Sequence, residues 1–318
     1  NDSQLQSIEK NAFCSTKIKK IVIPPHVTKI GEKAFYYTNL EEVEFSKNSE
    51  LKTIENEAFM ETKLEKLVIP PHLTYLGKQS FFKCEKLKQI VIPDDSELQV
   101  IDDEAFCGTN IESFKVPVHA TKIGEGVFYN CSELKKFEFP SNSSIQKIEK
   151  STFQNTGFES FTIPNKITEI GKKAFSSCKK LKEIVFQDNS ELNVIDNKAF
   201  YESLIESFVF PPHLTFIGKK AFYSCKNLKE ANFQNNNELK IIEEYAFSNS
   251  SIEKVSFPPH LTKLGVGAFK NCEKLEVIAF HPNTDPITLS YNIFLDCNLE
   301  SISIPSNIEL NQLICDLK

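Results

Sequence analysis

The sequence predicts a repeat solenoid built mostly of β-structure, and the first observation behind this prediction is a recurring stretch typified by residues 214–222. Its closing phenylalanine returns thirteen times without substitution, at Phe13, Phe35, Phe59, Phe81, Phe106, Phe128, Phe153, Phe175, Phe200, Phe222, Phe247, Phe269 and Phe294. Neighbouring copies lie 22 to 25 residues apart. A period of this size indicates stacked supersecondary units rather than a domain built around one centre.

The second observation is the local pattern, which favours strands over helices. Each repeat opens with apolar residues two positions apart, such as Leu67 and Ile69, in a segment rich in Ile, Val and Phe. This spacing is typical of a strand with one buried face. Proline often follows at once, as at Pro70 and Pro93, and it ends the strand because it has no N–H to donate. A helical array of similar period would not tolerate proline so often.

Two kinds of repeat alternate, so the true period is a pair of 47 residues. One kind opens at Leu64, Ile111, Phe158, Ile205 and Ile252, and the other at Leu87, Leu134, Leu181, Leu228 and Leu275. A single repeat buries too little apolar surface to offset the conformational entropy of ordering it, so the repeats must stack. We therefore expect one domain over residues 1–318 with about 13 repeats, in which 308–318 are a C-terminal cap or a trimmed end.

The full pattern is Leu-x-x-Ile-x-Ile-Pro-x-x-Leu-Thr-x-Ile-Gly-x-x-Ala-Phe-x-x-Cys, and it resembles the BspA-like branch of the leucine-rich repeats from Leu5 to about Ile304. The resemblance implies a right-handed parallel β-solenoid, α/β in class but mostly β. One sheet would line a concave face, and short strands or tight helical turns would form the convex side. Members of this family are often surface proteins of bacteria and parasitic protozoa, implicated in adhesion to host proteins or cells.

The sequence departs from this pattern in alternate repeats, where an acidic residue replaces the glycine at Glu55, Asp102, Glu149, Asp196 and Glu243. The position therefore does not demand a positive φ, and glycine there is favoured for packing.

Composition and charge narrow the classes of partner. The net charge is −6, and the 37 basic residues are all lysines interspersed with glutamates, so nucleic acid is disfavoured. No apolar run is long enough to cross a bilayer. Asn1 opens in the middle of a repeat, which suggests a processed or trimmed piece. We expect a monomer.

Six of the nine cysteines share one column, three residues after the signature phenylalanine: Cys84, Cys131, Cys178, Cys225, Cys272 and Cys297. The other repeats carry Thr or Ser there, so the sequence predicts a buried site for a small side chain. Alternate repeats lie about 10 Å apart, too far for a disulfide. Cys272 and Cys297, in neighbouring repeats, are the exception. No Cys-x-x-Cys spacing indicates zinc.

A second column follows the strand-ending proline and contains His26, His72, His119, His213 and His260, with Lys166 in one repeat. The spacing again prevents a shared metal or a direct proton transfer, so we interpret these residues as exposed turn positions. A row of imidazoles could also make binding depend on pH near 6. The acidic residues belong to repeat columns rather than to a convergent site, so the sequence predicts neither an enzyme nor a cofactor nor a metal centre.

The outward positions of the long strand are the candidate binding face. Its second position alternates in sign, from Glu65 and Lys88 to Lys229 and Glu253, and we interpret it as structural. Its fifth position varies between repeats, with polar residues between two pairs of valines: Val68, Val91, Lys115, Glu138, Thr162, Val185 and Val209. Exposed apolar groups on a concave surface suit a protein partner. A rival face would use Tyr75, Val100, Val194, Phe216 and Ile241.

We expect a non-enzymatic binding domain of a microbial cell-surface or secreted protein. It would present a concave sheet to a host or matrix protein or to a cell-surface glycan. The alternative is an intracellular, cytoplasmic scaffold for protein–protein interaction.

Overall fold

The computed structural model describes residues 3–233, 236–282 and 284–305, and it divides into two compact units. The first unit comprises Asn1–Ile145 and Glu149–Gly157, and the second comprises Gln146–Ile148 and Phe158–Lys318. In each unit a repeat contributes a long strand, a short strand and a stretch of turns. The 308–318 segment, for which we predicted a cap or a trimmed end, lies outside the described residues.

The long strands correspond to the Leu-x-x-Ile-x-Ile segments and pair in parallel. In the first unit they are β2 (Lys20–Ile23), β4 (Glu42–Phe45), β6 (Lys66–Val68), β8 (Gln89–Val91), β10 (Ser113–Lys115) and β12 (Lys136–Glu138). In the second unit they are β14 (Ser160–Ile163), β16 (Glu183–Phe186), β18 (Ser207–Val209), β20 (Glu230–Asn232), β22 (Lys254–Phe257), β24 (Val277–Phe280) and β26 (Ser301–Ser303).

The short strands hold two residues each and form one continuous parallel sheet per unit. The six-stranded sheet of the first unit runs through β1 (Ser7–Ile8), β3 (Lys29–Ile30), β5 (Thr53–Ile54), β7 (Tyr75–Leu76), β9 (Val100–Ile101) and β11 (Lys122–Ile123). The seven-stranded sheet of the second runs through β13 (Lys147–Ile148), β15 (Glu169–Ile170), β17 (Val194–Ile195), β19 (Phe216–Ile217), β21 (Ile241–Ile242), β23 (Lys263–Leu264) and β25 (Thr288–Leu289). The parallel β-solenoid expected from the sequence is confirmed.

Pairing of the long strands follows the 47-residue period. Strands within a pair of repeats are bonded along their length, as β2 with β4, β6 with β8, β10 with β12 and β14 with β16. Strands that belong to different pairs are joined only just before they begin. Between β8 and β10, for example, Glu112 N–H donates a backbone hydrogen bond to Lys88 O at 3.1 Å. From β18 to β26 the strands join into one sheet, but β20 and β22 share a single matched pair, Glu230 with Lys254.

The stretch after each short strand was expected to hold short strands or tight helical turns, and the helical part of that expectation is wrong. The described residues contain no helix there; successive β-turns take its place. From Gly218 onward, Ala221 N–H donates to Gly218 O while Lys220 N–H donates to the next repeat. Lys220 and Ser224 have φ of 57° and 56°, in the left-handed region. Such backbone ends a helix but builds consecutive turns.

The interior is built around the phenylalanine column. Phe13 and Phe35 stack with ring centroids 5.1 Å apart, and Phe222 stacks at 5.1 Å on both Phe200 and Phe247. These rings are fully buried except at Phe13, which is half-buried at the start of the array. Because each ring covers the next, burial in one repeat depends on its neighbours.

The glycine of the Ile-Gly step is required by close stacking. A Cβ on Gly218 would lie 2.6 Å from the backbone N of Asn197 in the preceding repeat, and one on Gly265 would lie 2.5 Å from that of Glu244. Neither glycine has a positive φ. The expectation that glycine serves packing here is therefore confirmed.

Candidate binding surface

The candidate binding residues predicted from the sequence lie on the outer side of the long strands. Strand alternation places the apolar frame inward and the fifth position outward, so Val68, Val185 and Val209 are 48%, 41% and 55% exposed. Lys115, Glu138 and Thr162 are also exposed, and Val91 is half-buried. We refer to this side as the long-strand face.

Register pairs these residues two by two within each unit. Val68 lies opposite Val91 and Lys115 opposite Glu138 in the first unit. In the second unit Thr162 lies opposite Val185, whereas Val209 lies opposite Asn232. Val68 and Val91 therefore form a two-residue apolar patch, while Val185 and Val209 belong to neighbouring strands that are not laddered to each other.

Val22 also belongs to the long-strand face, and the sequence analysis missed it. It occupies the fifth position of the first full repeat, is 56% exposed and lies opposite Glu44 in β4. Extending the column to residues 18–23 would have found it, because that segment keeps the same alternation.

Lys115 is held by a carboxylate rather than extended into solvent. Its Nζ donates to Oδ1 of Asp94 at 2.7 Å, in the loop after β8. This hydrogen bond raises the pKa of Lys115 and lowers that of Asp94. Both groups are exposed, so the pair fixes position more than it stabilises the fold.

The alternating charges of the second position lie on adjacent strands, as expected. Backbone bonds join Lys88 N–H to Glu65 O at 3.0 Å and Lys229 N–H to Glu206 O at 2.9 Å. Lys19 Nζ and Glu41 Oε1 form an ion pair at 3.3 Å. The column therefore places opposite charges side by side on neighbouring repeats, which fits its interpretation as structural.

The rival face is less accessible than the long-strand face. Its residues lie in the two-residue strands of the short-strand sheets and are half-buried: Tyr75, Val100, Val194, Phe216 and Ile241. In the second unit Val194, Phe216 and Ile241 are consecutive partners across three strands.

A cavity of about 400 Å³ opens in the long-strand face where β20 and β22 diverge. Its lining includes the buried rings of Phe233 and Phe257, which are 3% and 2% exposed. Its walls offer a carboxylate, an amide, an ammonium, a hydroxyl and an imidazole, from Glu230, Asn232, Lys254, Ser256 and His281. This mixture suits a polar group of a partner better than an apolar one.

With this geometry established, sequence comparison identifies the family. The model of the BspA type leucine-rich repeat region, which spans six copies, matches residues 6–98, 99–211 and 193–313. The chain belongs to the BspA-type leucine-rich repeat family. No curated protein matches the sequence.

Solved structures with the same fold are bacterial leucine-rich repeat proteins. One from Bacteroides ovatus shares 27% identity at a TM-score of 0.78, and the match covers 98% of this chain and 84% of that one. The pneumococcal vaccine antigen PcpA shares 21% identity at 0.58, with 97% and 76% covered. A protein from Eubacterium ventriosum shares 19% identity at 0.51, with 97% and 84% covered. The last two show the fold alone.

The histidine column of this BspA-type array lies at exposed turns, and most of its members contact a carboxylate of the next repeat. The Nδ1-to-carboxylate distances are 2.9 to 3.1 Å for His26 with Glu50, His72 with Glu97, His213 with Glu238 and His260 with Asp285. Each pair links two repeats, so the column has a structural use that does not require a ligand.

The cysteine column is buried except at the half-buried Cys297, and its thiols are hydrogen-bonded rather than bridged. Cys225 Sγ–H donates to Phe200 O at 3.1 Å and lies 3.4 Å from Ser203 Oγ. Burial raises the pKa of Cys225 to about 12, and that of Cys131 to about 11. None of the eight described cysteines forms a disulfide, Cys272 and Cys297 included. The buried thiols of Cys131 and Cys225 are therefore neutral, small donors inside the array.

Within the described ranges no helix is long and apolar enough to span a membrane. The same residues hold no cluster of three or more His, Cys, Asp or Glu side chains that could bind a metal ion.

Proposed function

We propose that the chain is the non-enzymatic binding domain of a microbial cell-surface or secreted protein, and that its long-strand face contacts a host or matrix protein or a cell-surface glycan during adhesion. The fifth position supports this proposal. Its side chains are exposed and differ between repeats, whereas the buried frame is nearly constant. A regular scaffold with a variable outer column is suited to recognition.

The family supports a binding role over a catalytic one, because BspA-type repeats form a scaffold. The surface location rests on family resemblance, together with the description of the pneumococcal neighbour as a vaccine antigen.

The binding test uses beads coated with the purified chain, applied to cultured epithelial cells and to purified extracellular matrix. The variant replaces Val22, Val68, Val185 and Val209 with serine. Ser256 already fills the fifth position in β22, so the fold should be retained. We expect bead adhesion to fall at least about tenfold, because the apolar contact area is lost.

The matched control replaces Tyr75, Val100, Val194 and Ile241, on the rival face, with threonine. This control should adhere like the parent. Loss of adhesion in the control alone would move the binding site to the short-strand sheets and contradict the proposal.

A cytoplasmic scaffold remains the second candidate, and the free cysteines favour it. Eight unbridged thiols are typical of a reducing compartment. An antibody against the array should stain intact cells of the source organism if the protein lies at the surface. Staining only after permeabilisation would favour the scaffold.

A further inference from the structure

The turn stretches of three successive repeats in the second unit carry an unusual excess of lysine. Residues 171–180, 196–204 and 218–226 contain eight lysines, Lys172, Lys173, Lys179, Lys180, Lys198, Lys219, Lys220 and Lys226, against two acids, Asp196 and Glu202. The whole chain has a net charge of −6. Lys179 and Lys219 form ion pairs with Glu202 and Glu244, and the local excess that remains on an acidic chain marks a distinct electrostatic surface.

Three of these lysines form a ladder. Lys173, Lys198 and Lys220 each lie two residues before a signature phenylalanine, in consecutive repeats. Their backbones are laddered, since Lys173 N–H donates to Asn197 O at 3.0 Å and Lys198 N–H donates to Lys219 O at 2.9 Å. The signature rings of these repeats stack at 5.4 and 5.1 Å, which gives the spacing of the rungs. Alignment of the repeats on the signature phenylalanine places the three lysines in one column of the sequence.

In the first unit, carboxylates alternate with Lys33 and Gln79 at the same position. Lys33 Nζ lies 3.5 Å from Glu57 Oε2 of the next repeat, and Gln79 Nε2 donates to Glu104 Oε2. By contrast, no described carboxylate lies within ion-pair distance of Lys173, Lys198 or Lys220. Like charges directly opposite each other destabilise a ladder, and an anionic ligand would reduce this repulsion.

Tyrosines accompany the ladder. Tyr201 and Tyr223 stack with centroids 5.3 Å apart and planes 5° apart. Lys198 Nζ lies 5.4 Å from the Tyr201 centroid, and Lys220 Nζ lies 5.1 Å from that of Tyr223. These contacts hold the ammonium groups in a row beside the tyrosine rings. The surface therefore presents three cations at a regular spacing, two of them beside tyrosine rings.

We propose that this lysine–tyrosine ladder binds a linear anionic glycan carrying sulfate or carboxylate groups. A polysaccharide presents charge at a regular repeat, as the ladder does, and sugar rings pack against tyrosine. A protein partner is disfavoured because apolar anchors are missing: the exposed large apolar side chains in these three repeats are Val185 and Val209, both on the long strands. This site is separate from the long-strand face.

The test titrates the purified full chain with a size-defined heparin oligosaccharide and with a polygalacturonate oligosaccharide of equal length, so that sulfate and carboxylate are distinguished. The variant carries Lys173→Gln, Lys198→Gln and Lys220→Gln. Glutamine suits this left-handed position because Gln79 occupies it with φ 54°. We expect affinity for at least one glycan to fall about tenfold or more.

Lys17→Gln, Lys52→Gln and Lys86→Gln together form the control, which removes the same charge from exposed sites in the first unit. We expect the control to change affinity by less than about threefold, and arginine at the three ladder positions to preserve binding. The proposal is overturned if the parent binds neither glycan, or if the control weakens binding as much as the ladder variant. It is also overturned if a single-stranded DNA of equal charge binds equally well with the same dependence on the ladder.

Discussion

At the scale of single residues, the cysteine column shows that one buried position accepts either a thiol or a hydroxyl group. Cys225 and Ser203 fill equivalent sites in adjacent repeats, and each donates to the carbonyl of Phe200. The site therefore selects a small donor rather than sulfur itself, and Cys225→Ser should be tolerated at neutral pH.

This substitution should change the response of stability to alkaline pH. Burial raises the pKa of Cys225 from 9.0 to about 12, so the unfolded thiol ionises first and the free energy of unfolding falls as pH rises through this window. Below pH 9 the contribution is fully present. Urea unfolding of the parent should lose about 1 to 2 kcal/mol more than Cys225→Ser between neutral pH and about pH 10.5. An identical loss in both proteins would contradict a buried, neutral thiol.

The glycines make a second prediction at this scale. Gly218→Ala would place a Cβ 2.6 Å from the backbone N of Asn197. Gly126→Ala, at φ +61°, would meet only side-chain atoms, of Glu104 at 3.3 Å and Tyr129 at 3.8 Å. We expect Gly218→Ala to destabilise by about 2 to 3 kcal/mol and Gly126→Ala by about 1 kcal/mol. Denaturant unfolding measures both. Equal values would mean that the spacing between repeats relaxes easily.

At the scale of elements, the phenylalanine column makes each repeat depend on its neighbours. Phe222 stacks on rings on both sides, whereas Phe13, in the first repeat, stacks on Phe35 alone. Phe222→Ala should cost about 3 to 5 kcal/mol and Phe13→Ala about half of that or less. Thermal unfolding followed by far-UV circular dichroism should show a second step only for Phe222→Ala. Single sharp transitions of equal cost would indicate one cooperative globule.

The strands were predictable because their signals are local. Alternation at Leu67 and Ile69 and the stop at Pro70 are properties of a few adjacent residues. The conformation of the turn stretch could not be predicted in this way, because Lys220 and Tyr245 adopt left-handed φ values of 57° and 55° that their residue types disfavour. Bonds to the next repeat impose this conformation, and only the stacked array supplies them.

The two candidate surfaces also differ in how far the sequence predicts them. The exposure of Val68 and Val209 follows from period-two alternation, so it could be predicted from the sequence. The row of Lys173, Lys198 and Lys220 depends on stacking residues that are distant along the chain. The row could have been found by aligning the repeats on the signature phenylalanine, but its lack of carboxylate partners among the described residues is visible only in the structure.

At the scale of the whole molecule, two compact units each carry their own sheets and their own run of stacked rings. Solenoid stability is close to a sum of repeat and nearest-neighbour terms. A defect in one unit should therefore lower the local stability of that unit more than that of the other, and buried thiols provide a readout in each.

Cys84 in the first unit and Cys225 in the second are fully buried, and they donate to Phe59 O at 3.0 Å and Phe200 O at 3.1 Å respectively. In the parent, a thiol reagent should label neither without denaturant. In Phe222→Ala, Cys225 should react at a lower urea concentration than Cys84, because the cavity adjoins its repeat. Mass spectrometry of the labelled peptides separates the two sites, and Phe59→Ala should reverse their order. Simultaneous labelling in both variants would show that the two units unfold as one and would contradict nearest-neighbour control of stability.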